Sequence, residues 1–259
     1  MSREHSSEIG RAYPDRVEVR GRDLTSELMG RVGFSEYFHL LLTGREPTEE
    51  QRFFLDLLLV SIAEHGLMPS NVAARMTLAA DPDSLQGAVA AGILGAGPVV
   101  LGSSEECALL LVAGQERVAS GEEPAAVARR LVQEIQTAGE RIPGFGHPLH
   151  RPVDPRAERI LELADERGAS GPHVLLAREL HGAAADAVGK PLPMNVAMAI
   201  AAVWLDLGYP PETTKTIPIL ARTASLLAHL VEEQERPLGL YLAAKADEAV
   251  EYAPREDAS

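Results

Sequence analysis

Only one cysteine, Cys107, occurs in the 259 residues, so the chain can form no intrachain disulfide. It lies in the apolar run Cys107-Ala-Leu-Leu-Leu, which predicts a buried, inert thiol. Aromatic residues are scarce, at 4% against 46% hydrophobic overall. A chain rich in Ala and Leu suits close-packed helices better than sheets, which favour aromatic and β-branched side chains. Cations are also short, with 24 Lys and Arg against 38 Asp and Glu, a formal net charge of -14. That balance argues against nucleic acid as a partner, because such binding is dominated by cationic contacts to phosphate. A few local arginines would still suffice for a phosphorylated cofactor. No uncharged stretch reaches the roughly 20 apolar residues of a membrane span. Residues 1–16 are polar and charged, unlike a secretory signal. A cytoplasmic protein without membrane contact is therefore expected.

What is present reads almost entirely as helix. Residues 1–13 show no period and are expected to be loose, and 15–23 alternate briefly, as a short β-ribbon would. Thr48-Glu-Glu-Gln51 is a capping-box pattern, in which hydroxyl and amide each satisfy an orphan N–H. The run from Phe53 to Ala63 is apolar nearly all round and predicts a central core helix stopped by Gly66. Residues 84–97 are dominated by small side chains, which let helices approach closely. Further helices are expected at 104–119, 124–138, 155–167, 172–187, 194–207 and 212–230, with a polar tail at 251–259. Asp154 followed by Pro155 is a strong start signal for the third of these. Gly92-Ile-Leu-Gly95-Ala-Gly97 lies inside a helical run and not after a strand, so it is no dinucleotide-binding loop.

The chemistry concentrates in Pro143-Gly-Phe-Gly-His147-Pro-Leu-His150-Arg151-Pro-Val-Asp154-Pro-Arg156. Two glycines and a proline force a tight turn that a ligand can approach. Arg156 falls in the first turn of a helix, where free backbone amides favour anions. One loop thus offers an imidazole, one or two guanidiniums and a helix N-terminus, a set that suits a carboxylate or phosphate. The alternative is a capped loop carrying surface arginines. No metal is expected, because Pro148 breaks the spacing that would aim His147 and His150 at one ion, and no thiol or carboxylate pattern supports one.

Gly144-Phe-Gly-His147 followed by Asp154-Pro-Arg156 resembles the glycine-aromatic-glycine-histidine and Asp-Pro-Arg signature of citrate synthases and citryl-CoA lyases. Co-linear segments strengthen the resemblance: Leu40 to Thr48, Glu64-His65-Gly66, Leu85 to Pro98, Met194-Asn195-Val196, Ala221-Arg222 to His229, and Glu235-Arg236-Pro237. The resemblance implies an all-α, citrate synthase-like fold in a short form. It implies a large domain from 1–105 and 198–259, a small domain from 106–197 carrying the His147 loop, and a site in the cleft between them. It further implies that His65 and His147 contact the oxaloacetate or citrate moiety as catalytic and substrate-binding residues. Arg156 and Arg222 would hold carboxylates, Arg236 would come from the second subunit of a homodimer, and Arg151 would contact the phosphate of coenzyme A. Arginine is apt here, since its planar fork pairs both carboxylate oxygens and keeps its charge.

Two departures from the family pattern bear on mechanism. The histidine expected after Gly97-Pro98 is replaced by Val100, or by Leu101 if the register slips by one, and the carboxylate expected after Asn195-Val196 is replaced by Ala197. A positioned general base is worth about 10²–10⁴ in rate, and an oxyanion donor about 10²–10³. Losing both argues against citrate synthesis by the family's usual enolisation. The expected activity is lyase cleavage of citryl-CoA, or a similar 3-hydroxy-3-carboxyacyl-CoA, to acetyl-CoA and a 2-oxo acid. There His147 would take the hydroxyl proton and Ser103, Ser104 or amides after Gly102 would stabilise the enolate; Glu105 or Glu106 offers a proton, against the favoured reading of both as a solvated helix start. The alternatives are condensation of another acyl-CoA with a 2-oxo acid, and a non-catalytic protein that binds CoA and dicarboxylates.

Overall fold

The computed structural model describes residues 5–97, 101, 103–147 and 149–253. Contacts divide the chain into two units, Met1–Leu58 and Leu59–Ser259. The first unit opens with a three-stranded antiparallel sheet of β1 (Gly10–Ala12), β2 (Val17–Val19) and β3 (Arg22–Asp23), in that order. The expected ribbon is present, and residues 10–12, expected to be loose, pair with it as Gly10↔Val19 to Ala12↔Val17. Arg20 and Gly21 reverse the chain with φ of 50° and 78°. Positive φ at both centres matches the twist of a two-residue hairpin, and the Arg20 guanidinium secures it by donating to the Leu41 carbonyl. Asp23 caps the π-helical turn Leu24–Leu28, accepting from the N–H groups of Thr25 and Ser26. Val19, Leu28 and Leu40 form this unit's apolar cluster, the last contributed by α1 (Phe34–Thr43).

α2 (Glu49–Ala63) carries the chain from the first unit into the second. Its capping box forms as the sequence predicts: Gln51 N–H donates to Thr48 Oγ1, and Thr48 N–H to the Gln51 side chain. Its all-round apolar character does not translate into all-round burial. Phe54, Leu55 and Leu58 are fully buried, but Val60 is 77% exposed. Asp56 lies on the exposed side with Val60 and already marks that face as polar.

In the second unit, α3 (Pro69–Ala80), α4 (Leu85–Leu94), α10 (Thr216–Glu235) and α11 (Gly239–Ala249) pack together, and Ala74, Leu78, Ala88, Leu226 and Leu230 form their core. The small residues of α4 serve close approach: a Cβ on Gly92 would lie 2.6 Å from Leu226 Cδ2. The other helices are α5 (Ser103–Ala119), α6 (Pro124–Thr137), α7 (Pro155–Glu166), α8 (Pro172–Val188) and α9 (Val196–Asp206). α9 is buried from Val196 to Leu205 and packs against α5, α7 and α8, so it is the spine of this group. It begins two residues later than expected, because Asn195 is its cap, with Oδ1 accepting from Ala197 N–H. α10 starts at Thr216, since residues 211–213 make a separate 3₁₀ turn whose Thr213 hydroxyl accepts from the Trp204 indole. Cys107 is fully buried and burial pushes its thiol far up, so it is the inert residue expected. No helix among the described residues is long and apolar enough to cross a membrane.

Candidate functional site

Two glycines and one carboxylate build the His147 loop. Gly144 has φ of 83°, and a Cβ there would lie 2.7 Å from Met198 Cβ and 2.8 Å from Cys107 Sγ. Only glycine allows both that backbone and that approach. The loop is then laced to the segment before α9. Phe145 bridges Met194, Gly146 N–H donates to the Pro193 carbonyl at 2.8 Å, and Asn195 N–H donates to the Gly144 carbonyl at 2.9 Å. Asp154 ties both helices to this point. Its Oδ1 accepts from Arg156 N–H at 3.1 Å and Arg156 Nε at 3.0 Å, and its Oδ2 from Arg156 at 2.8 Å and Val196 N–H at 3.1 Å. One carboxylate therefore caps α7, docks the start of α9 and aims a guanidinium. Burial works to raise its pKa, but the Arg156 contacts outweigh burial and hold it below the usual carboxylate range.

Three imidazoles meet above this frame. His65 Nε2 and His150 Nε2 are 3.1 Å apart. The His147 and His150 rings stack with centroids 4.3 Å apart, and His65 meets both edge-on at 5.3 Å. The spacing argument against a shared ligand set fails at this point. Pro148 does break helical periodicity, yet the turn folds the rings back so that one nitrogen from each of the three lies within 4.8 Å of the others.

The protonation pattern of the trio follows from its bonds. His147 Nδ1 accepts from the N–H groups of Leu149 and His150 at 3.1 and 3.0 Å. A neutral imidazole whose Nδ1 accepts carries its proton on Nε2. Burial, followed by the charge of His150, lowers the His147 pKa to about 4. His65 is lowered too, by burial and then by Arg156 and Arg222. Both rings are thus neutral at pH 7. His147 Nε2–H faces the Arg156 guanidinium at 3.5 Å, a donor beside a donor. Donors that converge without bonding one another are arranged for an acceptor between them, such as a carboxylate or oxyanion.

A second network holds His65. Glu64 accepts from His65 N–H at 2.9 Å, from Gly66 N–H and Ser225, and from His229 Nε2 at 3.0 Å. His229 in turn faces the fully buried Arg75, which pairs with Glu233 at 2.9 Å. The buried Arg222 donates to the carbonyl of Ala63, two residues before His65, at 3.3 Å, and burial lowers its pKa.

Of the sequence-predicted residues, the structure brings His65, His147, Arg156 and Arg222 into one electrostatic neighbourhood. Arg151 follows His150 in the chain and lines a cavity of about 430 Å³ together with His147, Lys190 and Pro193. Arg236 is exposed at the C-terminal end of α10, its N–H on the Glu232 carbonyl. Ala197 is buried at the start of α9. Val100 and Gly102 lie outside the described residues. Ser104 is buried with its hydroxyl on the Leu101 carbonyl, and Glu105 pairs with Lys215 at 3.0 Å, which gives it a structural partner. Sequence reasoning had not assigned chemistry to His150, Glu64 or Lys190. The available signals were the position of His150 three residues after His147 and of Glu64 directly before His65.

The sequence profile described as "Citrate synthase, C-terminal domain" matches residues 11–238. The citrate synthase of Heyndrickxia coagulans is 28% identical over 95% of this chain and 68% of its own length. That of Synechocystis sp. is 29% identical over 86% of this chain, which spans only 56% of that enzyme. Among solved structures, citryl-CoA lyase from Hydrogenobacter thermophilus superposes with a TM-score of 0.85 at 29% identity, covering 99% of this chain and 97% of that one. ATP citrate lyase from Methanothrix soehngenii, solved with citrate and coenzyme A, shares the fold with a TM-score of 0.81 at 21% identity, over 43% of its chain. The matched profile covers most of the sequence and the all-helical fold agrees: the chain belongs to the citrate synthase family.

Proposed function

We propose that this protein is a citryl-CoA lyase-like enzyme that cleaves a 3-hydroxy-3-carboxyacyl-CoA to acetyl-CoA and a 2-oxo acid such as oxaloacetate. The observation that carries this reading is the convergence of His147 Nε2–H and Arg156 next to the neutral His65 ring, with Arg222 close enough to bias His65. Arg156 and Arg222 hold the carboxylates of the substrate. His147 donates to the oxygen on the carbon being cleaved, a role a neutral imidazole with a depressed pKa fills well. Arg151 and Lys190, at the cavity beside His147, supply the cationic contacts for the phosphates of coenzyme A. Likeness to the Hydrogenobacter citryl-CoA lyase over nearly its whole length supports the short form as a lyase scaffold. The large lobe, 1–105 with 198–259, and the small lobe, 106–197, belong to the same proposal, as does a homodimer in which Arg236 reaches the neighbouring site.

Ala197 favours a second reading. A small apolar residue stands buried where the related synthases have a carboxylate, which leaves room for a larger or less polar acyl group. In that case the enzyme condenses such an acyl-CoA with a 2-oxo acid.

The test is incubation of pure protein with citryl-CoA between pH 6 and 9, with CoA species separated by chromatography. Acetyl-CoA is expected from the natural chain. His147→Ala is expected to lower kcat by about 10²–10³, the worth of one oxyanion donor. Unchanged citryl-CoA at every pH would defeat the lyase reading. Tight binding of CoA esters without turnover would then mark a binding protein, and turnover of a longer acyl-CoA would mark the condensing enzyme.

A further inference from the structure

The lyase reading leaves one chemical question open, namely which group carries the proton. His147 is poorly placed for it, because its Nδ1 lone pair is already committed to two backbone N–H groups and its Nε2 bears the proton. Ala197 has no group to ionise. His150 is the remaining imidazole, and no motif of the resemblance gives it a role. Two ring nitrogens 3.1 Å apart can be at ease only as N–H···N, so between them His65 and His150 Nε2 hold one proton and one lone pair.

The trio could be read as a metal site, and its own bonds oppose that. A ligand lone pair is missing on His147 in its present hydrogen bonds. The two carboxylates beside the trio are already committed, Asp154 to Arg156 and Val196, and Glu64 to Ser225, His229 and the His65 N–H. Arg156 and Arg222 place positive charge against the rings, where a divalent cation would be repelled and an anionic substrate attracted.

We infer that the His65–His150 imidazole pair is the proton-transfer base of this site, doing the work of the carboxylate that Ala197 replaces. The inference rests on the lyase reading above. The pair takes the proton of the tertiary hydroxyl. The C–C bond to the thioester α-carbon breaks as the hydroxyl oxygen becomes the carbonyl of the 2-oxo acid. The released electron pair becomes the enolate of the acetyl thioester, and the pair returns its proton to the α-carbon. The proton moves from oxygen to nitrogen to carbon, and no co-reactant is needed. Sharing between two rings lets the proton be taken at one nitrogen and delivered from the other. Arg156, Arg222 and Asp154 act on His65, Glu64 accepts from its backbone N–H, and His147 stacks on His150.

The test compares the natural chain with His150→Asn, which keeps a hydrogen bond to His65 but cannot ionise, and with His150→Ala. Loss of the base is expected to lower kcat for citryl-CoA by about 10²–10⁴ in both variants. KM should stay near the natural value, the acidic limb of the kcat profile should disappear, and added imidazole should restore part of the rate in His150→Ala. Ring ¹⁵N spectra of the unliganded natural chain should show one proton shared between His65 and His150, which reports on the pair without turnover. Cleavage by His150→Asn at the natural kcat, or rings that titrate independently, would overturn the base assignment alone. So would activity lost on dialysis against a chelator and regained with zinc. A natural chain that cleaves nothing would instead bring down the lyase reading, and the base with it.

Discussion

The Asp154 carboxylate accepts from the Arg156 guanidinium and from two backbone N–H groups on different helices, with its side chain wholly buried. Asp154→Asn keeps the shape and removes the charge that balances Arg156. Hydrogen bonds to charged groups are worth about 1.5–3 kcal/mol, so a loss of that order is expected in urea denaturation, together with a lower kcat/KM as Arg156 loses its aim. His147 makes a different prediction. Its folded pKa of about 4 lies below the ordinary 6.5, so the unfolded chain binds more protons between those values. Stability contributed at this ring is complete above pH 6.5 and is lost as pH falls toward 4. His147→Asn should flatten that part of a plot of stability against pH, and an unchanged slope would count against the buried neutral ring.

Helix ends and helix contacts were legible to different degrees. The capping box of α2 and the Asp154 cap of α7 form as expected because both are made by residues within four positions of one another. α9 and α10 start later than expected because Asn195 caps α9, with the sequence-distant Asp154 also holding Val196 N–H, and because residues 211–213 make a separate turn whose Thr213 hydroxyl holds the Trp204 indole. Small residues in α4 announced a close approach but not its target, which is Leu226 of α10. Gly92→Val should cost about 1–3 kcal/mol through overpacking, because Leu226 is fully buried and has little room to yield. Thermal unfolding of that variant checks the contact, and an unshifted midpoint would mean that α10 gives way.

At the scale of the whole molecule, the chain spans 97% of the Hydrogenobacter lyase but only 68% and 56% of two citrate synthases. The proposed homodimer predicts complementation. If Arg236 serves the partner's site, Arg236→Ala and His147→Ala are each nearly inactive. Mixed after dissociation, they should regain about a quarter of the natural sites, since each hybrid dimer of a two-fold assembly has one intact site. Activity that stays at the level of the separate variants would show that each subunit works alone.

By itself the sequence determined the helical class, through its Ala- and Leu-rich composition, and the family, through co-linear motifs. It also determined the His147 loop, because turn glycines and an Asp-Pro helix start act within a few residues. Only the tertiary structure decided how the side chains of that loop meet. His65 and His150 are separated by 85 positions yet touch through Nε2, and Glu64 reaches Ser225 and His229 across 161 and 165 positions. Periodicity describes neighbours along one element and is silent where a turn folds back. The trio of imidazoles and the pairing of His150 with His65 are consequences of that folding back, which no local pattern encodes.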